Sequence, residues 1–193
     1  LATSDAQENV ELSNIISKLG YSVFHGSEND VLNRYYEAAK LSSPKTVVRI
    51  TGDCPIIDPE LVDNVIKSYL ANGVDYASNI NPPTFPDGLD TEVFSFSALE
   101  KANQQAKLPY DREHVTPYLR NSSQFKKINY KNVNDLSKER WTIDEPEDFE
   151  VISNIINYFS PSLDFTLQDV INLKNDHPEF FSANINIKRN EGA

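Results

Sequence analysis

Residues 47–70 read VVRITGDCPIIDPELVDNVIKSYL. Val47, Val48 and Ile50 form a β-branched run that predicts a strand, and Gly52 and Pro55 end it. Asp58-Pro59-Glu60 predicts a helix start, with Asp58 as the cap and Pro59 in the first turn. Val62, Val65, Ile66, Tyr69 and Leu70 then recur at helical spacing. Asp53 therefore falls at the carboxyl end of a strand, on the loop that leads into a helix. In open α/β sheets that edge is where ligands bind.

The same alternation extends in both directions. Upstream, a strand tail in LATSD leads to a helix capped by Ser4 or Asp5 and running to about Leu19, with Val10, Leu12, Ile15, Ile16 and Leu19 as its apolar face. The short strand YSVFHG ends at Gly26. A second helix follows, with Asp30 near its start and Val31, Leu32, Tyr35, Ala38 and Ala39 facing inward. Downstream, VDYASN reads as a strand and residues 79–89, dense in Pro, Gly and Asn, as a loop. TEVFSFSALEKANQQA is a strand leading into a helix, and YDREHVTPYLRN a short helix bent or cut by Pro117. QFKKINYKNV alternates as a strand does, RWTI is a further short strand, and helices follow from about Glu147 to Phe159 and near 166–175. This order predicts one three-layer α/β/α domain over residues 1–193, with a mostly parallel sheet between helices.

Composition excludes several classes. The net charge of −11 and the lack of any basic run beyond Lys126, Lys127 and Lys131 argue against a nucleic-acid surface. No stretch approaches the roughly 18 apolar residues of a membrane span. The single cysteine, Cys54, rules out an internal disulfide framework and fits a reducing, cytoplasmic setting. An acidic chain that handles a phosphorylated ligand needs a metal ion or local cations to hold it. The chain opens at Leu1 and contains no Met, which predicts a fragment truncated at its N-terminal edge.

Two carboxylates share one local grammar. Asp53 in ITGDCP and Asp144 in WTIDEPEDFE each follow a short apolar strand and precede a proline-marked helix start. Two such carboxylates suit a hard cation such as magnesium, which leaves its other positions to water and phosphate. Asp144 before EPED also reads as a helix cap, and Asp53 as a turn residue. FPDGLDTEVFS places Asp87, Asp90 and Glu92 within six residues, as a loop binding sugar hydroxyls or an ordinary acidic turn. DREHV gathers Arg112, which suits a carboxylate or phosphate, and His114, which also reads as a structural histidine. No zinc spacing, Walker loop or GxGxxG is present.

VFHGSENDVLNRYYEAAK, VVRITGDCPIIDPELVDNVI, PDGLDTEVFSFSALEKA, REHVTPYLRN and RWTIDEPEDFEVI, followed by HPE and IKRNEG in the tail, resemble in that order one family of cytidylyltransferases. It includes spore-coat polysaccharide biosynthesis proteins and is related to the acylneuraminate and 3-deoxy-manno-octulosonate cytidylyltransferases. The resemblance implies a Rossmann-like nucleotide-diphospho-sugar transferase fold and magnesium-dependent transfer of CMP from CTP to an acidic sugar of the nonulosonic type, with release of pyrophosphate. It implies catalytic and metal-binding roles for Asp53 and Asp144. Nucleotide binding falls to Ser27, Asp30, Gly52 and Asp53, and sugar binding to Arg34, Asp87, Asp90, Glu92, Arg112 and His114. It also implies a homodimer, with QFKKINYKNV at or near the interface. The family's opening basic, glycine- and serine-containing loop has no counterpart here, so the chain is expected to hold half of an active site and to lack turnover. The rival readings are a non-catalytic binding or scaffold subunit, and a glycosyltransferase of the same fold.

Overall fold

The computed structural model describes residues 1–189. The end of the IKRNEG motif, Asn190 to Gly192, lies outside the described residues. The chain divides into two compact units: residues 1–47, 74–76 and 94–127, and residues 48–73, 77–93 and 128 onward.

The first unit holds a parallel pair of strands, β1 (Ala2–Ser4) and β2 (Phe24–Gly26), in register Thr3 to His25. It also holds helices α1 (Asn9–Lys18) and α2 (Val31–Lys40). The second unit holds α3 (Pro59–Asn72). Four strands, β3 (Thr46–Arg49), β4 (Tyr76–Ser78), β5 (Glu92–Ser95) and β6 (Lys127–Asn129), form a sheet in the order β3-β5-β4-β6. The backbone bonds Asn79 N–H to Thr91 O (3.3 Å) and Ser95 N–H to Asp75 O (3.1 Å) run β5 antiparallel to β4. Tyr76 N–H to Lys126 O and Tyr130 N–H to Ser78 O set β6 parallel to β4. The sheet is thus mixed, within an α/β fold.

The first unit continues with α4 (Phe96–Gln105), α5 (Pro109–His114) and α6 (Pro117–Asn121). Its core gathers Leu32, Tyr76, Phe94, Leu99, Val115, Leu119 and Phe125. The second unit ends with α7 (Pro146–Phe159), α8 (Leu167–Asp176) and a 3₁₀ turn (Pro178–Phe181). Its buried residues include Val65, Val93, Trp141, Ile152, Ile155 and Leu173. No helix among the described residues is long and apolar enough to cross a membrane.

The helix start read at Asp58 forms as expected. Its Oδ1 accepts the Leu61 N–H at 2.9 Å, Pro59 is the first helical residue, and Gly73 closes α3 in the left-handed region at φ 56°. Five other expectations are corrected. Ser4 belongs to β1, and α1 starts only at Asn9 after Glu8, so neither Ser4 nor Asp5 caps it. Val10, Leu12 and Ile15 of α1, and Leu19 just after it, are exposed, and the residue of the helix that is buried is Ser13. The segment before Asp144 is no regular strand: Trp141 N–H bonds Asp87 O while Ile143 N–H bonds Asp53 O, so neighbouring residues answer two different loops. Residues 110–121 form two helices rather than one. Between them Val115, fully buried, takes φ 70° and ψ −55°, and Thr116 N–H closes onto His114 O at 2.8 Å, a γ-turn that breaks the helix before Pro117. Of QFKKINYKNV only β6 is strand, and it stands last in the sheet order.

Candidate functional site

In the second unit the chain leaves β3 at Arg49, turns through Gly52 and Asp53, and meets the 140–144 segment. The Asp53 carbonyl accepts Ile143 N–H at 2.9 Å and the Thr142 hydroxyl at 3.1 Å, and the same hydroxyl lies 3.4 Å from Asp53 Oδ2. The 87–90 loop presses on the other side of that segment. Asp87 N–H bonds Glu139 O and Trp141 N–H bonds Asp87 O at 2.7 Å. Gly88, at φ 97°, approaches so closely that a Cβ there would sit 2.4 Å from the Trp141 carbonyl. These loops enclose a cavity of about 110 Å³ lined by Asp53, Asp87, Asp90 and Asp144, with Arg49, Thr51, Cys54, Gly88 and Thr142.

Four carboxylates on one small cavity demand positive charge nearby, and three arginines supply it. Arg49 Nη1 donates to Glu92 Oε2 at 2.6 Å, which places Glu92, only 1% exposed, in an ion pair. Arg189 Nη2 donates to Asp90 at 2.5 Å and lies 3.7 Å from Asp87. Arg140 grips Asp148 with two bonds of 2.8 Å and reaches Asp144 at 3.0 Å and Asp87 at 3.3 Å. Burial works against the Arg140 charge, but Asp148, then Asp87 and Asp144, outweigh it and raise its pKa. Burial alone would raise Asp148 too. Hydrogen bonds from Arg140, Asn184 and the Glu145 and Asp144 N–H groups overcome that and hold its pKa at about 2. Asp144 is raised, first by burial and then by the Asp53 charge, with Arg140 opposing. Burial pushes Asp90 up to about 6, with Arg189 opposing and Asp87 and Glu92 adding to the rise. The Cys54 thiol is pushed up to about 12 by burial, which keeps it protonated and un-nucleophilic at neutral pH.

The structure therefore brings Asp53, Asp144, Asp87 and Asp90 onto one cavity, with Glu92 beside them through Arg49. Asp144 does not cap α7: Glu145 holds the cap position and shares a capping box with Asp148, which leaves the Asp144 side chain to Arg140. Nothing lies within 4 Å of a Cβ built at Gly52.

The remaining candidates belong to the first unit. Ser27 Oγ accepts the Asp30 N–H, and the Ser27 carbonyl accepts from Arg34 Nη1 at 2.8 Å. Asp30 caps α2 through Asn33 N–H and pairs with Arg112 Nη2 at 2.6 Å. Arg112 also bonds the Asn103 carbonyl and side chain. The His114 ring leans on Tyr110, with centroids 4.4 Å apart. Sequence reading missed Arg49, Arg140, Asp148 and Arg189. The Glu145-x-x-Asp148 spacing of a capping box was the available signal for Asp148, and the only one for Arg189 was its place in the IKRNEG motif.

The donor set fits a magnesium ion. Asp53 and Asp144 are hard oxygen donors, and among the described residues no three or more His, Cys, Asp or Glu side chains are arranged to hold a metal by themselves. Magnesium is commonly held by one or two carboxylates, with water and phosphate completing its shell.

Comparison with known proteins gives a concordant result. The model of the family described as Cytidylyltransferase matches residues 1–183. An uncharacterized protein of Methanocaldococcus jannaschii is 36% identical over 192 residues, a match covering 98% of this chain and 77% of that protein. The spore coat polysaccharide biosynthesis protein SpsF of Bacillus subtilis is 32% identical over 183 residues, covering 93% of this chain and 75% of SpsF. A solved cytidylyltransferase of Leptospira borgpetersenii serovar Hardjo-bovis shares the fold at a TM-score of 0.88 and 37% identity, covering 97% of this chain and 77% of that one.

Proposed function

This chain belongs to the cytidylyltransferase family, and from that premise we propose that its acidic cavity serves magnesium-dependent transfer of CMP from CTP to an acidic sugar for a surface polysaccharide. The observation that carries the proposal is the convergence of Asp53 and Asp144, from two loops far apart in sequence, on one cavity. Nucleotidyl transfer places negative charge on the α-phosphate and on departing pyrophosphate. Four carboxylates alone would repel both, so the cavity acts through a cation.

In this reading Asp53 and Asp144 hold the ion. When bound it supplies charge neutralisation at the phosphate and at the carboxylate of the sugar. Thr142 steadies Asp53, and Arg140 steadies Asp144. Gly88 lets the Asp87–Asp90 loop lie against the Trp141 backbone, which puts Asp87 and Asp90 on the cavity wall as acceptors for sugar hydroxyls. The similarity to SpsF supports a product used in polysaccharide assembly. A homodimer joined near the edge strand β6 fits the same reading, since exposed strand edges are commonly covered by a partner.

The test pairs binding with turnover. Calorimetry is expected to show CTP binding that requires magnesium, and Asp53→Asn or Asp144→Asn should weaken it well over tenfold. Pyrophosphate release is then measured with nonulosonic and other acidic sugars beside neutral counterparts, and the acidic sugars should be preferred. Magnesium-independent CTP binding, unchanged in both variants, would refute the metal assignment. Binding with no turnover on any sugar, both in this chain and in a form extended through the family's basic loop, would favour a non-catalytic subunit.

A further inference from the structure

We infer that Asp148, which does not line the cavity, is a positioning residue that acts through Arg140 to set how tightly Asp144 holds a divalent cation. The inference rests on the reading of Asp53 and Asp144 as metal ligands. Its own basis is the geometry of one buried ion pair.

The guanidinium of Arg140 has five N–H donors, and five bonds account for them. Nε and Nη2 each reach Asp148 at 2.8 Å, and Nη2 reaches Asp144 Oδ2 at 3.0 Å. Nη1 reaches Asp87 Oδ2 at 3.3 Å and the Lys188 carbonyl at 3.1 Å. Asp148 is fully buried and answers with both oxygens. Oδ1 also accepts Asn184 Nδ2 at 2.8 Å, while Oδ2 also accepts the Asp144 and Glu145 N–H groups at 3.1 and 3.0 Å.

Asp144 is consequently held at two points by the same pair, its N–H by Asp148 and its Oδ2 by Arg140. Its Oδ1 accepts no hydrogen bond from the described residues, and the residue lines the cavity. A carboxylate with one oxygen pinned and the other presented suits single-oxygen coordination. The pair also settles a charge balance. Arg140 stands among Asp87, Asp144 and Asp148, and Asp148 takes two of its five bonds in the forked geometry that binds most firmly. Without the Asp148 charge, the guanidinium would turn its whole charge on Asp144 and Asp87. The ligand that should attract a cation would then already be neutralised.

Two of the groups that complete this support, Asn184 and the Lys188 carbonyl, lie beyond the stretch matched by the family model. Asn184 is 4% exposed and also donates to the Arg140 carbonyl at 3.0 Å.

The experiment uses Mn²⁺ as the probe, with free ion read by electron paramagnetic resonance at a temperature where each variant is folded by circular dichroism. Asp148→Asn keeps the shape and removes the charge, and should weaken Mn²⁺ binding about tenfold or more. Arg140→Lys keeps the charge but loses the fork that holds Asp148 and Asp144 together, and should do the same. It decides the matter if Asp148→Asn does not fold. Asp53→Asn, which should abolish binding and leave the full free-ion signal, shows that the ion sits in this cavity. A purely structural role predicts a lower melting temperature with unchanged affinity in the folded protein. That result would overturn the inference and leave the metal reading standing. Failure of the unmodified chain to bind Mn²⁺ would overturn both.

Discussion

Two aspartate–arginine pairs follow the same local plan and end in different physical settings. In the first unit Asp30 caps α2 and meets Arg112 from α5. In the second, Asp148 sits in the first turn of α7 and meets Arg140. The side chains of Arg112 and Asp30 are 20% and 36% exposed, and those of Arg140 and Asp148 are 3% and 0% exposed. Water therefore shares the work of stabilising the first pair and has no part in the second. In the buried pair every charge must be answered by protein, and its neighbours include two carboxylates of the candidate site. The contrast shows that an acid at a helix start says little until its burial is known. Exposed, it is a clasp between helices. Buried, it becomes part of the electrostatics of a cavity.

The largest expected effect tests that contrast directly. Arg140→Met fills similar space but leaves Asp148 buried without its counter-charge. It should cost about 3–5 kcal/mol in urea unfolding, as breaking a buried pair from one side generally does. Arg112→Met should cost no more than about 1 kcal/mol. An unchanged urea slope would confirm that the losses are stability and not a change of mechanism. Equal costs for the two variants would break the comparison.

A second expectation sharpens it through pH. The Asp148 carboxyl is depressed to about 2, so its contribution is present above the usual carboxylate range and fades as pH falls towards 2. Asp90 is the opposite case. Its pKa is raised to about 6, so the fold favours its protonated form, and that contribution is lost as pH rises through 6. Asp90→Asn should therefore stabilise the protein relative to the unmodified chain at pH 7.5, on the order of 2 kcal/mol, and much less at pH 4. Melting temperatures of both proteins across that range decide it. A difference independent of pH would show that Arg189 holds Asp90 ionised throughout.

How much of this was legible beforehand depended on how local the signal was. The turn at Gly52-Asp53 and the cap at Asp58 were readable because Gly, Pro and Asp fix backbone geometry within a few residues. The placement of Asp53 on the loop after a strand was readable for the same reason, whereas Asp144 follows a segment that is no regular strand. The apolar periodicity of α1 was equally plain, yet Val10, Leu12, Ile15 and Leu19 are exposed. Periodicity names an apolar face but not what covers it. Arg189 meets Asp90 from 99 residues away, and Arg140 joins Asp144 and Asp148, four and eight residues on, to Asp87, 53 residues back, a convergence that no short window of sequence contains. The assignment of RWTI to a strand failed for a related reason: its hydrogen bonds go to two separate loops, which no window of sequence contains.

The smallest expected effect concerns the clasp in the first unit, and here salt is the sharper probe. Arg112→Ala removes one exposed ion pair with Asp30 and two bonds to Asn103. The Asn103 bonds are short-range and largely indifferent to ionic strength, whereas the Asp30 attraction is exposed to screening. The Debye length falls from about 10 Å at 0.1 M to about 3 Å at 1 M salt. The cost of Arg112→Ala, measured by thermal melting, should therefore shrink by a few tenths of a kcal/mol between low and high salt. The cost of Arg140→Met should stay nearly constant, because ions do not reach a guanidinium whose side chain is 3% exposed. A salt-sensitive Arg140 variant would mean that water enters the second unit's charge cluster, and would remove the distinction between the two pairs.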